Sequence, residues 1–321
     1  MNPLLQVKNL KTYFQKDSVI SKAVDGVSFE IGEGETFALV GESGCGKSVT
    51  SLSIMRLITN PPGKIVDGEI LFEGRDILRM KEKEVRALRG KEIAMIFQEP
   101  MSSLNPVFTA GYQIAEMLKT HFNLTRSEVT ERVLSLIDKV EIPNPERIYK
   151  SYPHQLSGGM RQRIMIAIAT ACSPKLLIAD EPTTALDVTI QAEIMKLFRK
   201  FRVEHKMSVL LITHNLGIVS DLADRIAVMY AGGIVETCDA QTLFSQPLHP
   251  YSEGLLKSIP RLGTKKERLD TIPGSVPDPA AKPSGCPFHP RCFKKEGICE
   301  EVKPLLREVS NAHYAACHFA E

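Results

Sequence analysis

Short unbroken apolar runs recur along the first two thirds of the chain. Phe37-Ala38-Leu39-Val40 ends at a glycine, and Ile93-Ala94-Met95-Ile96-Phe97 ends at Gln98. Lys175-Leu176-Leu177-Ile178-Ala179 ends at two acids, and Val209-Leu210-Leu211-Ile212 ends at Thr-His. Runs this short, without alternation, predict strands covered on both faces, as in a parallel α/β sheet. Leu5-Gln6-Val7 and Val27-Ser28-Phe29-Glu30-Ile31 alternate instead, which predicts half-exposed antiparallel strands near the start. From about Ala110 to Arg147 the period changes. Ile114, Met117 and Leu118, then Val133, Leu134, Leu136 and Ile137, recur at helical spacing and predict a helical insertion between two parts of the sheet. Ser157 is placed to cap a helix running from Gly158 to about Ala171.

A shift in proline content sets the organisation. Ten of the 20 prolines fall between Pro247 and Pro304, and proline breaks regular elements. No internal repeat or low-complexity tract accompanies the shift. We therefore expect a unit over residues 1–246, with its helical insertion at about 105–160, and a Pro-punctuated extension over 247–321. The 321 residues are 43% hydrophobic and 24% charged, enough to bury a core without disulfide help. Forty basic against 38 acidic residues leave +2, no footprint for nucleic acid or a membrane surface. Trp is absent and aromatics are 6%, so no extended base-stacking platform is expected. The longest mostly apolar stretch, Ile164 to Cys172, falls far short of the ~20 residues of a membrane helix. The start, Met1-Asn2-Pro3-Leu4-Leu5-Gln6, lacks the pattern of a secretory signal, so the expected location is the cytosol or its face of a membrane.

Chemistry enters at Gly41-Glu42-Ser43-Gly44-Cys45-Gly46-Lys47-Ser48, which matches G-x-x-x-x-G-K-[ST] directly after the predicted strand Phe37–Val40. Glycines let the backbone wrap so that successive N–H groups point at phosphate, and the helix that follows adds its N-terminal dipole. Lys47 suits the β- and γ-phosphates, and the Ser48 hydroxyl suits Mg²⁺. Cys45 occupies a variable position. The strand Leu176–Ala179 ends at Asp180-Glu181, which looks like a Walker B pair: Asp180 for Mg²⁺, Glu181 to polarise the attacking water. A metal ligand and a separate base are what hydrolysis at a γ-phosphate requires.

Leu156-Ser157-Gly158-Gly159-Met160 resembles the signature motif of ABC ATPases. Gln98 resembles the Q-loop, Ala185-Leu186-Asp187 the D-loop and His214 the switch histidine of that family. Tyr13 or Phe14 falls where the family places an aromatic ring against adenine. Met95-Ile96-Phe97-Gln98-Glu99-Pro100-Met101-Ser102-Ser103-Leu104-Asn105-Pro106, Tyr152-Pro153-His154-Gln155, His249-Pro250-Tyr251 and Gly285-Cys286-Pro287-Phe288-His289-Pro290-Arg291-Cys292 look like the dipeptide/oligopeptide/nickel importer branch, and most of all like its dipeptide-transporter ATP-binding subunits. One departure is Asn215, where family members often carry Asp after the switch histidine.

The resemblance covers the whole chain and implies an α/β fold: a P-loop NTPase ABC cassette with a RecA-like parallel-sheet core, an N-terminal antiparallel β subdomain, an α-helical subdomain and a Cys-rich C-terminal extension. It implies ATP contacts along Gly41, Glu42, Ser43, Gly44, Cys45, Gly46, Lys47, Ser48 and Val49, with Mg²⁺ held by Ser48, Gln98 and Asp180. Glu181, His214 and Gln98 would act at the γ-phosphate. Two cassettes would meet head to tail, so that Ser157, Gly158 and Gly159 of one face the ATP of the other, with Asp187 nearby. The implied partners are a second, different ATPase subunit, two transmembrane permease subunits and, indirectly, a peptide-binding protein, with no nucleic acid. Closure on ATP would draw in Gln98 and the helical insertion and move the permeases docked there, at the cytoplasmic face of the membrane. The implied cargo is a dipeptide or oligopeptide, with nickel or another solute as the alternative. A soluble ABC ATPase of DNA repair or translation would carry long coiled-coil insertions or tandem cassettes, and a P-loop kinase would lack the signature and the switch histidine.

Cys286, Cys292, Cys299 and Cys317 crowd the end of the chain. In a reducing compartment such a group suggests metal before disulfides. The C-x₂₋₄-C knuckles usual for zinc are missing, whereas a [4Fe–4S] cluster takes four cysteines at irregular spacing. Resemblance to the dipeptide branch, some members of which carry such a cluster in this tail, favours iron–sulfur. Zinc, a disulfide pair and free thiols remain open, and His289, His313 and His318 are nearby substitute ligands that are expected instead at the surface.

Overall fold

β1 (Leu5–Lys16) and β2 (Val19–Ile31) run antiparallel, with Leu5 opposite Ile31 and Val7 opposite Phe29. Both strands extend well beyond their alternating segments. The register slips between Val7 and Leu10 and again near Thr12, so buried Leu10 and Thr12 fall out of phase with Leu5 and Val7. Such bulges hide a long strand from a period-two reading. β3 (Thr36–Val40) is buried throughout and leads through the glycine loop into α1 (Lys47–Ile54). β4 (Gly63–Phe72) pairs with the other edge of β1 and carries the short β5 (Arg75–Asp76), giving an antiparallel sheet ordered β2-β1-β4-β5. The computed structural model describes residues 3–98, 103–184, 186–258 and 271–321; Ala185 and Glu99 to Ser102 of the sequence motifs lie outside them. These first elements belong to a unit formed by residues 1–79 and 212–321, and residues 80–211 form the other.

The second unit begins with α2 (Glu82–Leu88) and β6 (Ile93–Ile96). Three helices follow where the helical period predicts them: α3 (Ala110–His121), α4 (Arg126–Lys139) and α5 (Pro145–Tyr149). Thr109 caps α3, and Thr125 with Glu128 forms a capping box on α4. The buried stripe of α4, Val129, Val133 and Ile137, keeps the i, i+4, i+8 spacing of one helix face. Ser157 caps α6 (Gly158–Thr170), its Oγ accepting the Met160 N–H at 3.3 Å. β7 (Leu176–Asp180) is buried throughout and pairs parallel with β6, Ile93 opposite Leu176. α7 (Val188–His205) and the first four residues of β8 (Ser208–Thr213) complete it, with β8, β7 and β6 neighbours in that order.

The chain then returns to the first unit through α8 (Leu216–Leu222), β9 (Arg225–Tyr230), β10 (Gly233–Asp239), α9 (Ala240–Ser245) and α10 (Pro250–Lys257). After residue 271 come α11 (Ile298–Glu301), β11 (Arg307–Ser310) and β12 (His313–Ala315). β3 pairs parallel with β9, and the order within this unit is β11-β12-β10-β9-β3. The Pro-punctuated tail thus supplies two strands to the sheet edge, with Ala315 opposite Glu236 of β10. Its Cys286, Phe288 and Cys299 share a core with Val40, Tyr230 and Tyr251. Among the described residues, no helix is long and apolar enough to cross a membrane.

Candidate functional site

The first unit carries the phosphate loop. Gly41 has φ +152°, and a Cβ there would collide with the Met229 carbonyl of β9. Gly46, at φ +108°, would likewise drive a Cβ into the Ala23 carbonyl. Only glycine lets the backbone turn this tightly against two strands. Lys47 is 4% exposed, and its Nζ donates to Gly41 O at 2.7 Å and to Glu42 O at 3.0 Å, so the ammonium lies over the loop. Ser48 and Val49 open α1, and Ser43 and Gly44 face solvent. Cys45 is fully buried with Sγ 3.7 Å from Lys47 Nζ, and burial raises its thiol pKa.

In the same unit, Tyr13 Oη donates to Asp25 Oδ1 at 2.7 Å, and burial together with that bond pushes the phenol up to about 12. Asp25 also pairs with Lys282 at 3.5 Å; burial acts against its ionisation, but the Tyr13 bond and Lys282 outweigh it and lower its pKa. Phe14 is half-buried and packs against Gly63. His214 follows β8 and is exposed. Asn215 caps α8, its Oδ1 accepting the Gly217 N–H at 3.0 Å. The amide does the capping an aspartate would do there.

The second unit brings Gln98 and Glu181 together. Gln98 Nε2 donates to Glu181 Oε2 at 3.1 Å, and Thr184 Oγ1 donates to the same oxygen at 2.9 Å. Thr184 carries no pattern that marks it in the sequence. Asp180, 3% exposed, closes β7, and the chain turns at Glu181 with φ +46°, a strained conformation for a non-glycine residue. Asp187 caps α7, its carboxylate accepting the Ile190 N–H at 3.0 Å. Ser157 and Gly158 are exposed and Gly159 half-buried at the start of the 13-residue α6, whose first turn holds no acid. That end of a helix suits an anion.

The tail brings its four cysteines into one neighbourhood. Cys286 N–H donates to Cys299 O at 2.8 Å, and Cys292 lies two turns of loop further on, bonded to His289 O at 3.3 Å. Burial pushes Cys286 up to about 11, and the nearby Cys299, Cys292 and Cys317 sulfurs add to the rise. Burial and the neighbouring sulfurs both favour the neutral thiol. All seven cysteines are free. Among the described residues, Glu236, Cys238 and His313 place three ligand atoms within 4.8 Å of one another; no three of the tail sulfurs come that close. Four thiolates around zinc at 2.3 Å would stand only about 3.8 Å apart.

One expectation is corrected. His313 is not at the surface: it is 2% exposed and bonded to the buried Glu236. His289 and His318 are half-buried, each bonded to a backbone carbonyl. The residues the sequence reading passed over are Arg291, whose guanidinium grips Glu42 of the phosphate loop, and Tyr251, whose hydroxyl accepts the Glu42 N–H. Both stand in motifs shared with the importer branch, and neither motif carries a signal of contact with the phosphate loop.

A profile of the ABC transporter family matches residues 24–184, and one described as the oligopeptide/dipeptide transporter C-terminal region matches residues 235–299. The chain is 52% identical over 321 residues to the oligopeptide transport ATP-binding protein AppD of Bacillus subtilis (strain 168), covering 100% of this chain and 98% of that one. It is 49% identical over 317 residues to the dipeptide transport ATP-binding protein DppD of the same organism, covering 99% and 95%. It resembles the dimeric post-hydrolysis structure of the ATP-binding cassette MJ0796 bound to ADP and Pi, with TM-score 0.67, 28% identity, and 74% of this chain and 98% of that chain covered. The structure of cbiO1 from Clostridium perfringens, part of the ABC transporter complex cbiONQ, matches with TM-score 0.65 and 26% identity over 77% and 92% of the two chains.

Proposed function

The chain belongs to the ABC transporter family as an ATPase with the ABC cassette fold, and from that premise we propose that it drives a peptide importer from the cytoplasmic face of the membrane. The observation that carries this reading is the Gly41–Ser48 loop, with Lys47 folded over it at the head of α1. We assign residues 1–246 to the cassette, with the helical insertion at about 105–160, and 247–321 to an importer-type extension. Peptide cargo is favoured by the names of the full-length relatives AppD and DppD.

In this reading Lys47 and the N–H groups from Gly41 to Ser48 bind the ATP phosphates, and Ser48, Gln98 and Asp180 hold Mg²⁺. When bound, the ion would supply neutralisation of the charge on the transferred phosphoryl. Glu181 accepts the proton of the attacking water, Gln98 orients it, and His214 senses the γ-phosphate. Tyr13 or Phe14 offers its ring face to the adenine, and the bond from the Tyr13 hydroxyl to Asp25 leaves its ring free to stack. Ser157, Gly158 and Gly159 present the positive end of α6 to the ATP of a second cassette, with Asp187 alongside. That second cassette is a different subunit, and two permeases dock beside Gln98.

The four tail thiols hold a [4Fe–4S] cluster in this reading. The group fits an all-cysteine donor set spread wider than a zinc site. When bound, it would supply a cross-link that braces the tail. The residues of this chain do the rest: Cys286 and Cys299 are buried, and the Cys286 N–H bond to Cys299 O fixes their spacing.

The test is ATP hydrolysis by the chain assembled with its permeases in vesicles, with and without peptide-loaded binding protein. Hydrolysis stimulated by peptide and abolished in Lys47→Ala is the expected result. Hydrolysis that answers only to a non-peptide solute overturns the cargo, and equal hydrolysis by Lys47→Ala overturns the site.

A further inference from the structure

Glu42, the second residue of the phosphate loop, has every polar group engaged. Its N–H donates to Tyr251 Oη at 2.8 Å, and its carbonyl accepts Lys47 Nζ at 3.0 Å. Its carboxylate receives both Nη atoms of Arg291, at 2.7 and 3.0 Å. This is the two-pronged geometry that suits guanidinium and carboxylate.

Arg291 is itself locked. Its side chain is 4% exposed, its Nε donates to Pro273 O at 2.8 Å, and Nη2 reaches Ile272 O at 3.3 Å. The guanidinium lies 5.8 Å from the ring centre of Tyr230 and 5.9 Å from that of Phe288. Those rings pack on Tyr251 at 4.6 and 5.3 Å between centres. Arg291 and Tyr251 therefore grip Glu42 from one aromatic box whose walls come from β9, α10 and the tail.

Two physical consequences follow for a loop that binds a triphosphate. Its N–H groups cradle phosphate only while the backbone keeps its shape, and a rigid grip on Glu42 keeps it. A bare carboxylate beside the loop repels the phosphates, and the paired guanidinium cancels that charge.

We propose that Arg291 is a positioning residue for nucleotide binding: through Glu42 it holds the phosphate loop in shape and neutralises the acid beside it, and Tyr251 shares the first task. The inference rests on reading Gly41–Ser48 as the ATP site. Arg291 touches no nucleotide, so its loss weakens ground state and transition state alike and appears in KM rather than kcat.

The experiment measures equilibrium ATP binding by the full chain and steady-state hydrolysis in the assembled transporter. Arg291→Met is expected to raise the ATP Kd and KM by about tenfold with kcat within about twofold. Adding Glu42→Gln to Arg291→Met removes the uncompensated charge and should recover the electrostatic part of that loss while leaving the part due to the lost grip, a partial recovery that a merely structural arginine would not show. Should Arg291→Met fail to fold, Glu42→Asp and Glu42→Gln are compared instead. Glu42→Asp keeps the charge but withdraws it from Arg291, and should raise KM more than Glu42→Gln. An unchanged KM in Arg291→Met, no recovery in the double variant, or a larger rise in Glu42→Gln than in Glu42→Asp each overturns the proposal. Absence of ATP binding by the wild type, or wild-type binding by Lys47→Ala, overturns the underlying site instead.

Discussion

Nε2 of His313 lies 2.7 Å from Oε1 of Glu236, and both side chains are buried. The same carboxylate accepts the N–H groups of Leu248 and His249, each at 2.8 Å. One acid on β10 thus fastens both the final hairpin and the turn into α10. Removing His313 leaves a buried carboxylate short of a partner, which costs about 3 kcal/mol. His313→Ala should lower the urea midpoint accordingly and expose the chain beyond residue 300 to protease in the native state. An unchanged midpoint would show that the pair contributes nothing net.

Glu181 is held by Gln98 and Thr184 through a single oxygen, Oε2. Glutamine at this position keeps one side-chain oxygen that can accept from both and loses the base. Glu181→Gln should bind ATP normally and hydrolyse it about 10²–10⁴-fold more slowly. With hydrolysis blocked, the ATP-bound cassettes should stay paired, and size-exclusion chromatography of the variant with its partner ATPase subunit and ATP should show a heterodimer that the wild type does not accumulate. Normal turnover by the variant would remove Glu181 from the chemistry.

Where each contact runs along the chain decides how much could be read in advance. The strands Thr36–Val40, Ile93–Ile96, Leu176–Asp180 and Ser208–Thr213 announce themselves because each is an uninterrupted apolar run, buried in full or nearly so. Ser157 is legible as a cap because capping is decided within one turn. β1 was legible only at its first residues, since its bulges break the alternation. Arg291 and Glu42 are 249 positions apart, and His313 and Glu236 are 77 apart; neither pair leaves a local period. The loop motif named the phosphate-facing residues, whereas what steadies the loop from behind depends on how the tail folds back.

His249 supplies a pH prediction. Burial holds its imidazole pKa down at about 3, where Nδ1 accepts the Tyr251 N–H at 3.0 Å. In the unfolded chain the same group titrates near 6.5. As pH falls through about 6.5 the unfolded chain gains a proton that the folded chain refuses, so stability present above that pH is lost towards pH 3. The loss approaches about 1.4 kcal/mol per pH unit from this one group. His249→Asn keeps an acceptor at the cap and removes the titration. Melting curves at pH 7.5 and 5.0 should then show a smaller acid shift in the variant than in the wild type; equal shifts would exonerate His249.

The four tail cysteines can be tested by what they hold. Cys286 and Cys299 are buried while Cys292 and Cys317 are half-buried, so a bound centre would be shielded on one side and reachable on the other. Protein purified without oxygen should carry about four iron and four acid-labile sulfide per chain, with Cys292→Ser losing both. Because Arg291 precedes Cys292 in the chain and grips Glu42, loss of the centre should also loosen the phosphate loop. The apo protein should therefore bind ATP more weakly than the loaded protein, and reconstitution should restore the affinity. Zinc without sulfide would replace the cluster by a structural ion, and no metal in anaerobic protein would leave four thiols held together only by the fold.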